Sequence, residues 1–176
     1  MNEELYLKIP TIEDKQIILD YKQEFEKNND YLAGSGSLNL FDNFEDWFKK
    51  VQNDLSKETC GEGRVPATQY LTIRKTDNKL VGMIQIRHSL NEYLLNFGGH
   101  IGDSVRPTER NKGYATKQIN LALQECKRLG LNKVLITCNK NNIASAKTII
   151  KNGGVLENEL QKSEGEIFQR YWIEVK

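Results

Sequence analysis

The sequence predicts a mixed α/β domain built around one strand–helix–strand crossover, on three observations. Ile101, Gly102 and Val105 suit an extended segment, and Pro107 stops it because proline has no N–H for a ladder. Behind that segment, Ala115, Ile119, Ala122, Leu123 and Cys126 recur at helical spacing, so a helix begins near Gly113. The short apolar run from Lys133 to Cys138 then reads as a buried parallel strand.

The flanking elements follow in order. Leu5, Leu7 and Ile9 alternate with Tyr6 and Lys8 as a first strand ending at Pro10. Thr11 with Glu13 and Asp14 can cap a helix whose apolar stripe is Ile17, Ile18, Tyr21 and Phe25. The stretch 28–39, rich in Asn, Gly and Ser, is a loop, and Phe44, Trp47, Phe48 and Val51 mark a second helix. After a loop over Cys60–Pro66, residues 67–74 and 80–88 form a hairpin about the turn Thr76–Lys79. Asn91, Glu92 and Tyr93 interrupt before the strand that leads to His100. Asn142 caps a helix with Ile143, Ala146 and Ile150 on its inner face, and Gly153–Gly154 ends it. A hairpin over 155–160 and 167–175 closes the chain.

Composition narrows the class. A chain of 176 residues forms a single domain, here 1–176, and its 38% hydrophobic and 28% charged residues fit neither a disordered nor a membrane protein. No apolar run approaches the roughly 18 residues of a membrane helix, and the acidic N-terminus has no signal core, so a cytoplasmic protein is expected. Cys60, Cys126 and Cys138 are odd in number without C-x-x-C spacing, which suits reduced thiols. Two histidines and no H-E-x-x-H motif argue against a metal site. Residues 1–62 carry a net charge of −7 and residues 63–176 a net +8. The cations are scattered over strands, loops and helices, which excludes a nucleic-acid stripe. Either these are ordinary solvated surfaces, or the basic part faces phosphates while the acidic part surrounds a cationic amine.

The stretch from Arg110 to Thr116 carries the chemistry. The first four N–H groups of a helix lack internal partners and sit at the positive end of its dipole. Gly113, Tyr114, Ala115 and Thr116 form that first turn, and the small residues at 113 and 115 let an anion come close. Arg110 and Lys112, on either side of Asn111, bring positive charge to the same place. A diphosphate cradle follows. It is not a P-loop, since no Gly-Lys-Ser/Thr occurs, nor a dinucleotide fingerprint, since Gly34-Ser-Gly36 ends in Asn39 and precedes no long helix.

The pattern Arg110-Asn111-Lys112-Gly113-Tyr114-Ala115 resembles the R/Q-x-x-G-x-G/A loop of the GNAT acyltransferase superfamily, and Asn142-Ile-Ala-Ser145 followed by Gly153 is similar to its N-x-x-S…G segment. The order of elements agrees over most of the chain. The resemblance implies a GNAT-like mixed sheet, with the acetyl-CoA core at about 96–153 and the acceptor side at about 1–62. It implies that acetyl-CoA is the co-substrate, with its pyrophosphate on Arg110–Thr116 and its pantetheine near Asn142 and Ser145. Tyr31, Ser35, Ser37 and Phe41 would fall in the segment that shapes the acceptor pocket.

It further implies direct attack by a primary amine of a small molecule or peptide, without a covalent enzyme intermediate, and leaves a homodimer open. An oxyanion donor would come from a backbone N–H at a bulge near Ser104 and Val105. His100 stands where many members carry a carboxylate, so it is either the general base or a half-buried histidine paired with a neighbouring strand. Glu92 and Asp103 are reserve bases. The tyrosine many members place four positions before the terminal glycine is Ile149 here, which cannot donate a proton. That departure keeps a second reading in view, a CoA-binding interaction module with little or no turnover. A nucleotide-binding α/β protein is a third.

Overall fold

The computed structural model describes residues 4–176. Strands β1 (Leu5–Lys8), β2 (Ala67–Arg74), β3 (Lys79–Arg87) and β4 (Ile101–Val105) form an antiparallel sheet in that order. Strands β5 (Lys133–Asn139), β6 (Val155–Ser163) and β7 (Glu166–Glu174) form a second antiparallel sheet with β7 in the middle. Helices α1 (Lys15–Lys27) and α2 (Phe44–Asn53) cover one face of the first sheet, and α3 (Tyr114–Arg128) covers the other. Helix α4 (Ile143–Lys151) packs on the second sheet.

Two apolar layers hold these elements. Ile18, Tyr21, Phe25, Phe44, Trp47 and Val51 of α1 and α2 meet Leu71, Ile73, Leu80 and Met83 of the sheet. On the opposite face Tyr70, Ile84, Ile86 and Ile101 meet Ile119, Ala122 and Cys126 of α3, continuing to Val134, Ile136 and Ile149. With helices on both faces, all eight residues of β2 are buried, its polar Thr and Gln positions included. The cysteines are free and buried. No helix among the described residues is long and apolar enough to cross a membrane.

Thr11 and Asp14 make the expected capping interaction, with the Thr11 N–H donating to Asp14 Oδ2 at 2.7 Å, although a single 3-10 turn (Ile12–Asp14) precedes α1. The interruption before β4 is a π-helical turn over Leu94–Gly98. Two expectations are corrected. The inner face of α4 is Ala146 and Ile149, while Ile143 and Ile150 are exposed. Strand β4 pairs with β3 residue for residue from Gly82–Val105 to Ile86–Ile101, so no bulge occurs near Ser104 and Val105. The register shift lies between β2 and β3, at Thr72/Ile73.

Among the described residues, the backbones of the two sheets join at His100 and Leu135. The His100 N–H donates to the Leu135 carbonyl at 2.7 Å, and the Leu135 N–H donates to His100 Nδ1 at 2.9 Å. Gly99 permits this approach, with φ +64° and a position where a Cβ would lie 2.6 Å from the Leu135 oxygen. Helix α3 returns the chain to the level where β4 began, so β5 runs parallel to β4. Beyond His100 the strands belong to separate sheets, leaving a cleft between their facing edges.

Candidate active site

Backbone geometry makes this cleft the candidate site. The Arg87 N–H donates to the His100 carbonyl and the Arg106 N–H to the Val81 carbonyl. By the alternation of an antiparallel pair, the His100 carbonyl and the backbone groups of residues 102, 104 and 106 turn to β3, while the His100 N–H turns to Leu135. Ile101, Asp103 and Val105 therefore present theirs to the cleft. Across it, Lys140 and Asn132 bond to β7, so the intervening Leu135, Thr137 and Asn139 face β4. An extended, amide-bearing chain can add to these edges as a further strand. Of the two positions singled out by sequence, Val105 lies on the free edge, while Ser104 pairs with β3 and sends its hydroxyl to within 3.1 Å of the Tyr21 hydroxyl.

The open end of the cleft is where α3 and α4 begin. Gly113 is the N-cap of α3 at φ +79°, no side chain caps the helix, and a Cβ at Gly113 would meet nothing within 4 Å. The turn thus offers helix-dipole amides to an anion. Asn111 supports it in the left-handed conformation at φ +64°. Tyr114 is buried rather than lining the groove, its hydroxyl accepting from Arg74 Nη1 at 3.0 Å. Ala115 and Thr116 are partly exposed. At the far end of β5, Asn142 caps α4 by accepting from the Ser145 N–H at 3.1 Å.

The flanking cations are engaged. Arg110 pairs with Asp30 at 2.6 Å, donates to the Val105 carbonyl at 3.1 Å and stacks on Phe25. Lys112 pairs with Glu109 at 2.7 Å. The Arg110–Asp30 pair is partly exposed on both sides and is worth only about 0–1 kcal/mol, so its exchange for a phosphate costs little, whereas Lys112 is half-exposed against a buried carboxylate. Glu109 itself is buried, also takes Arg74 at 2.8 Å and Lys79 at 2.6 Å, and anchors the whole loop.

His100 does not fit the role of general base. Nδ1 accepts the Leu135 N–H, so the ring proton of the neutral form sits on Nε2 and no lone pair is free. Burial, with the nearby Arg87 charge, lowers its pKa to about 4. The strand-pairing alternative describes it. Asp103 on β4 is half-buried, and its carboxylate accepts from Gln118 Nε2 at 2.8 Å. Desolvation raises its pKa to about 6 against the opposing effect of that hydrogen bond. Gln118 is fully buried, accepts from Thr72 at 3.0 Å, and occupies the space where a Cβ at Gly82 would fall. Ile149 lies in the core and supplies no proton. Burial raises the Cys138 thiol, opposed by a hydrogen bond from Ser145. Glu92 is exposed.

Three carboxylates of the acidic first third are held by cations of the chain. Glu24 is taken by Arg106 at 2.8 Å, Asp30 by Arg110, and Asp54 by Lys50 at 2.6 Å and Arg64 at 2.9 Å. Gly34, in the loop after α1, lies against β4, where a Cβ would sit 2.2 Å from the Gly102 oxygen. Sequence reasoning missed Gln118 and Arg87, since neither belongs to a motif. The Gly98–Gly99 pair was the available signal for the meeting of the sheets.

Comparison with known proteins bears on the family and the fold. The acetyltransferase (GNAT) domain family matches residues 4–155. A comparison with curated protein sequences finds no match. Among solved structures, the ribosomal-protein-S5-alanine acetyltransferase of Vibrio fischeri superposes with TM-score 0.73 at 17% identity, covering 100% of this chain and 96% of that one. An acetyltransferase of Salmonella typhimurium that modifies the N-terminal serine of ribosomal protein L7/L12 gives TM-score 0.65 at 19% identity, covering 98% and 95%. The microcin C7 self-immunity acetyltransferase MccE, solved with acetyl-CoA and AMP, gives 0.67 at 21%, covering 99% and 94%. At these identities the likeness is one of fold.

Proposed function

Because the chain belongs to the GNAT acetyltransferase family, we propose that it moves an acetyl group from acetyl-CoA to a primary amine of a small molecule or peptide. The observation that carries this reading is the free edge of β4 running into the uncapped N-terminus of α3. Gly113, Tyr114, Ala115 and Thr116 hold the diphosphate with backbone amides, joined by Asn111 and by Arg110 and Lys112 after they exchange their carboxylate partners. The edges of β4 and β5 hold the pantetheine, with Asn142 and Ser145 at its side. Bound acetyl-CoA supplies the activated carbonyl.

The residues of the chain then divide the remaining work. An inward N–H of Asp103 or Val105 stabilises charge on the carbonyl oxygen, an effect of about 3 kcal/mol for such an amide. His100 positions β4 against β5 rather than moving a proton. Asp103, ionised above pH 6, accepts the proton released by the amine, directly or through water. Water protonates the departing thiolate, whose ordinary pKa is about 8.5.

The test is thiol release from acetyl-CoA across a panel of amines. Amine-dependent release is expected. The second reading, a binding module, is favoured by Ile149 and predicts CoA binding with no release from any amine.

A further inference from the structure

Arg87 ends β3 and points to the face covered by α1 and α2, beside Gly102 of β4. A Cβ at Gly102 would lie 3.1 Å from Arg87 Nη2, so the guanidinium sits one residue from the free-edge amide of Asp103. Nη1 donates to the Gly98 and Gly99 carbonyls at 2.9 and 3.2 Å. Among the described residues, Nε and Nη2 have no acceptor and no carboxylate lies within ion-pair distance.

That is unusual within this molecule. The chain has seven arginines, and Arg64, Arg74, Arg106, Arg110, Arg128 and Arg170 each pair with a carboxylate. Arg87 is the exception, although burial disfavours its charge. The titratable groups facing it include no carboxylate. Lys50 and Arg64 are cations that already share Asp54, His100 is neutral, and Tyr31 and Tyr93 are phenols. A small cavity of about 160 Å³ opens beside it, lined among others by Arg64, Gln85, Asn91 and Tyr93. A desolvated guanidinium fork with spare donors matches an oxyanion.

We propose that Arg87 binds an oxyanion, carboxylate or phosphate, carried by the acceptor, so that the enzyme selects amines bearing a negative group near the amino nitrogen. This deepens the acetyltransferase reading and rests on it. The alternative is that Arg87 only clips the carbonyls of the π-helical turn.

The experiment measures kcat/KM for matched acceptors. Amino acids and dipeptides are compared with their C-terminal amides, and phosphoethanolamine with ethanolamine. Wild type should prefer the anionic member of one pair by about ten- to a hundred-fold, the worth of one hydrogen-bonded charge. The favoured pair identifies carboxylate or phosphate. In Arg87→Gln that ratio should collapse toward one, with Arg87→Lys restoring part of it. Equal use of both members by wild type, or a ratio unchanged in Arg87→Gln while both rates fall together, overturns the proposal. Should no amine be turned over, acetyltransfer itself has failed. The anion site is then read by thermal shift of the CoA-loaded protein with N-acetyl amino acids, their amides and N-acetyl phosphoethanolamine. A shift by either acid that Arg87→Gln abolishes supports the site, and no difference from the neutral compounds overturns it.

Discussion

At the scale of single residues, titration separates the roles of Asp103 and His100. Desolvation holds the Asp103 carboxyl near 6, so below that pH it is protonated and cannot take a proton from the amine. The rate should therefore rise with pH through about 6. Asp103→Asn keeps an oxygen for Gln118 Nε2, so the fold and CoA affinity should survive. Turnover should drop about 100-fold with loss of the acidic limb, read from a pH–rate profile. His100→Ala should leave that limb in place and instead orphan the Leu135 N–H, costing about 1–3 kcal/mol in denaturant unfolding. If the limb vanished with His100→Ala and persisted in Asp103→Asn, the two assignments would have to be exchanged. Residue identity alone could not separate these carboxylate and imidazole roles, because the pairing of Nδ1 with a backbone 35 positions away is a tertiary fact.

At the scale of elements, the N-terminus of α3 is where the sequence was most readable. The helical periodicity and the glycine before it located the start of α3 within one residue, since local spacing determines both. Gly113→Glu should weaken CoA binding by about 100-fold or more, measured by calorimetry, because a carboxylate would enter the anion position while open space around it spares the fold. Gly113→Ala, which carries only the strain of φ +79°, separates the backbone effect from the charge. Less readable was the charge state of the loop. Arg110 and Lys112 are cations in the sequence, yet Asp30 and Glu109 already hold them, and only folding brings Asp30 there. The β4 bulge, carried over by resemblance, was wrong because the irregularity sits one strand pair away, at Thr72/Ile73.

For the molecule as a whole, Glu109 ties β2, β3 and the loop before α3 together through Arg74, Lys79 and Lys112. Although burial disfavours its charge, hydrogen bonds from those three cations hold its pKa down at about 2, against an ordinary 4.5. A depressed carboxylate adds stability that is complete above the unfolded value and lost as pH falls through the folded one. Acid unfolding should therefore set in between pH 4.5 and 2. Glu109→Gln should flatten that part of the curve while lowering stability at neutral pH by about 3 kcal/mol, as expected when the buried Arg74–Glu109 pair loses one member. Thermal melts from pH 2 to 7 measure both.

The seam between the sheets has a further consequence. Amides at Ile101, Asp103, Val105 and Thr137 hang over an unzipped edge, so in heavy water they should trade hydrogen for deuterium within minutes while their neighbours on β3 and β7 resist. Adding CoA should slow that trade along a line from the seam to α3, tracing the missing strand without a crystal.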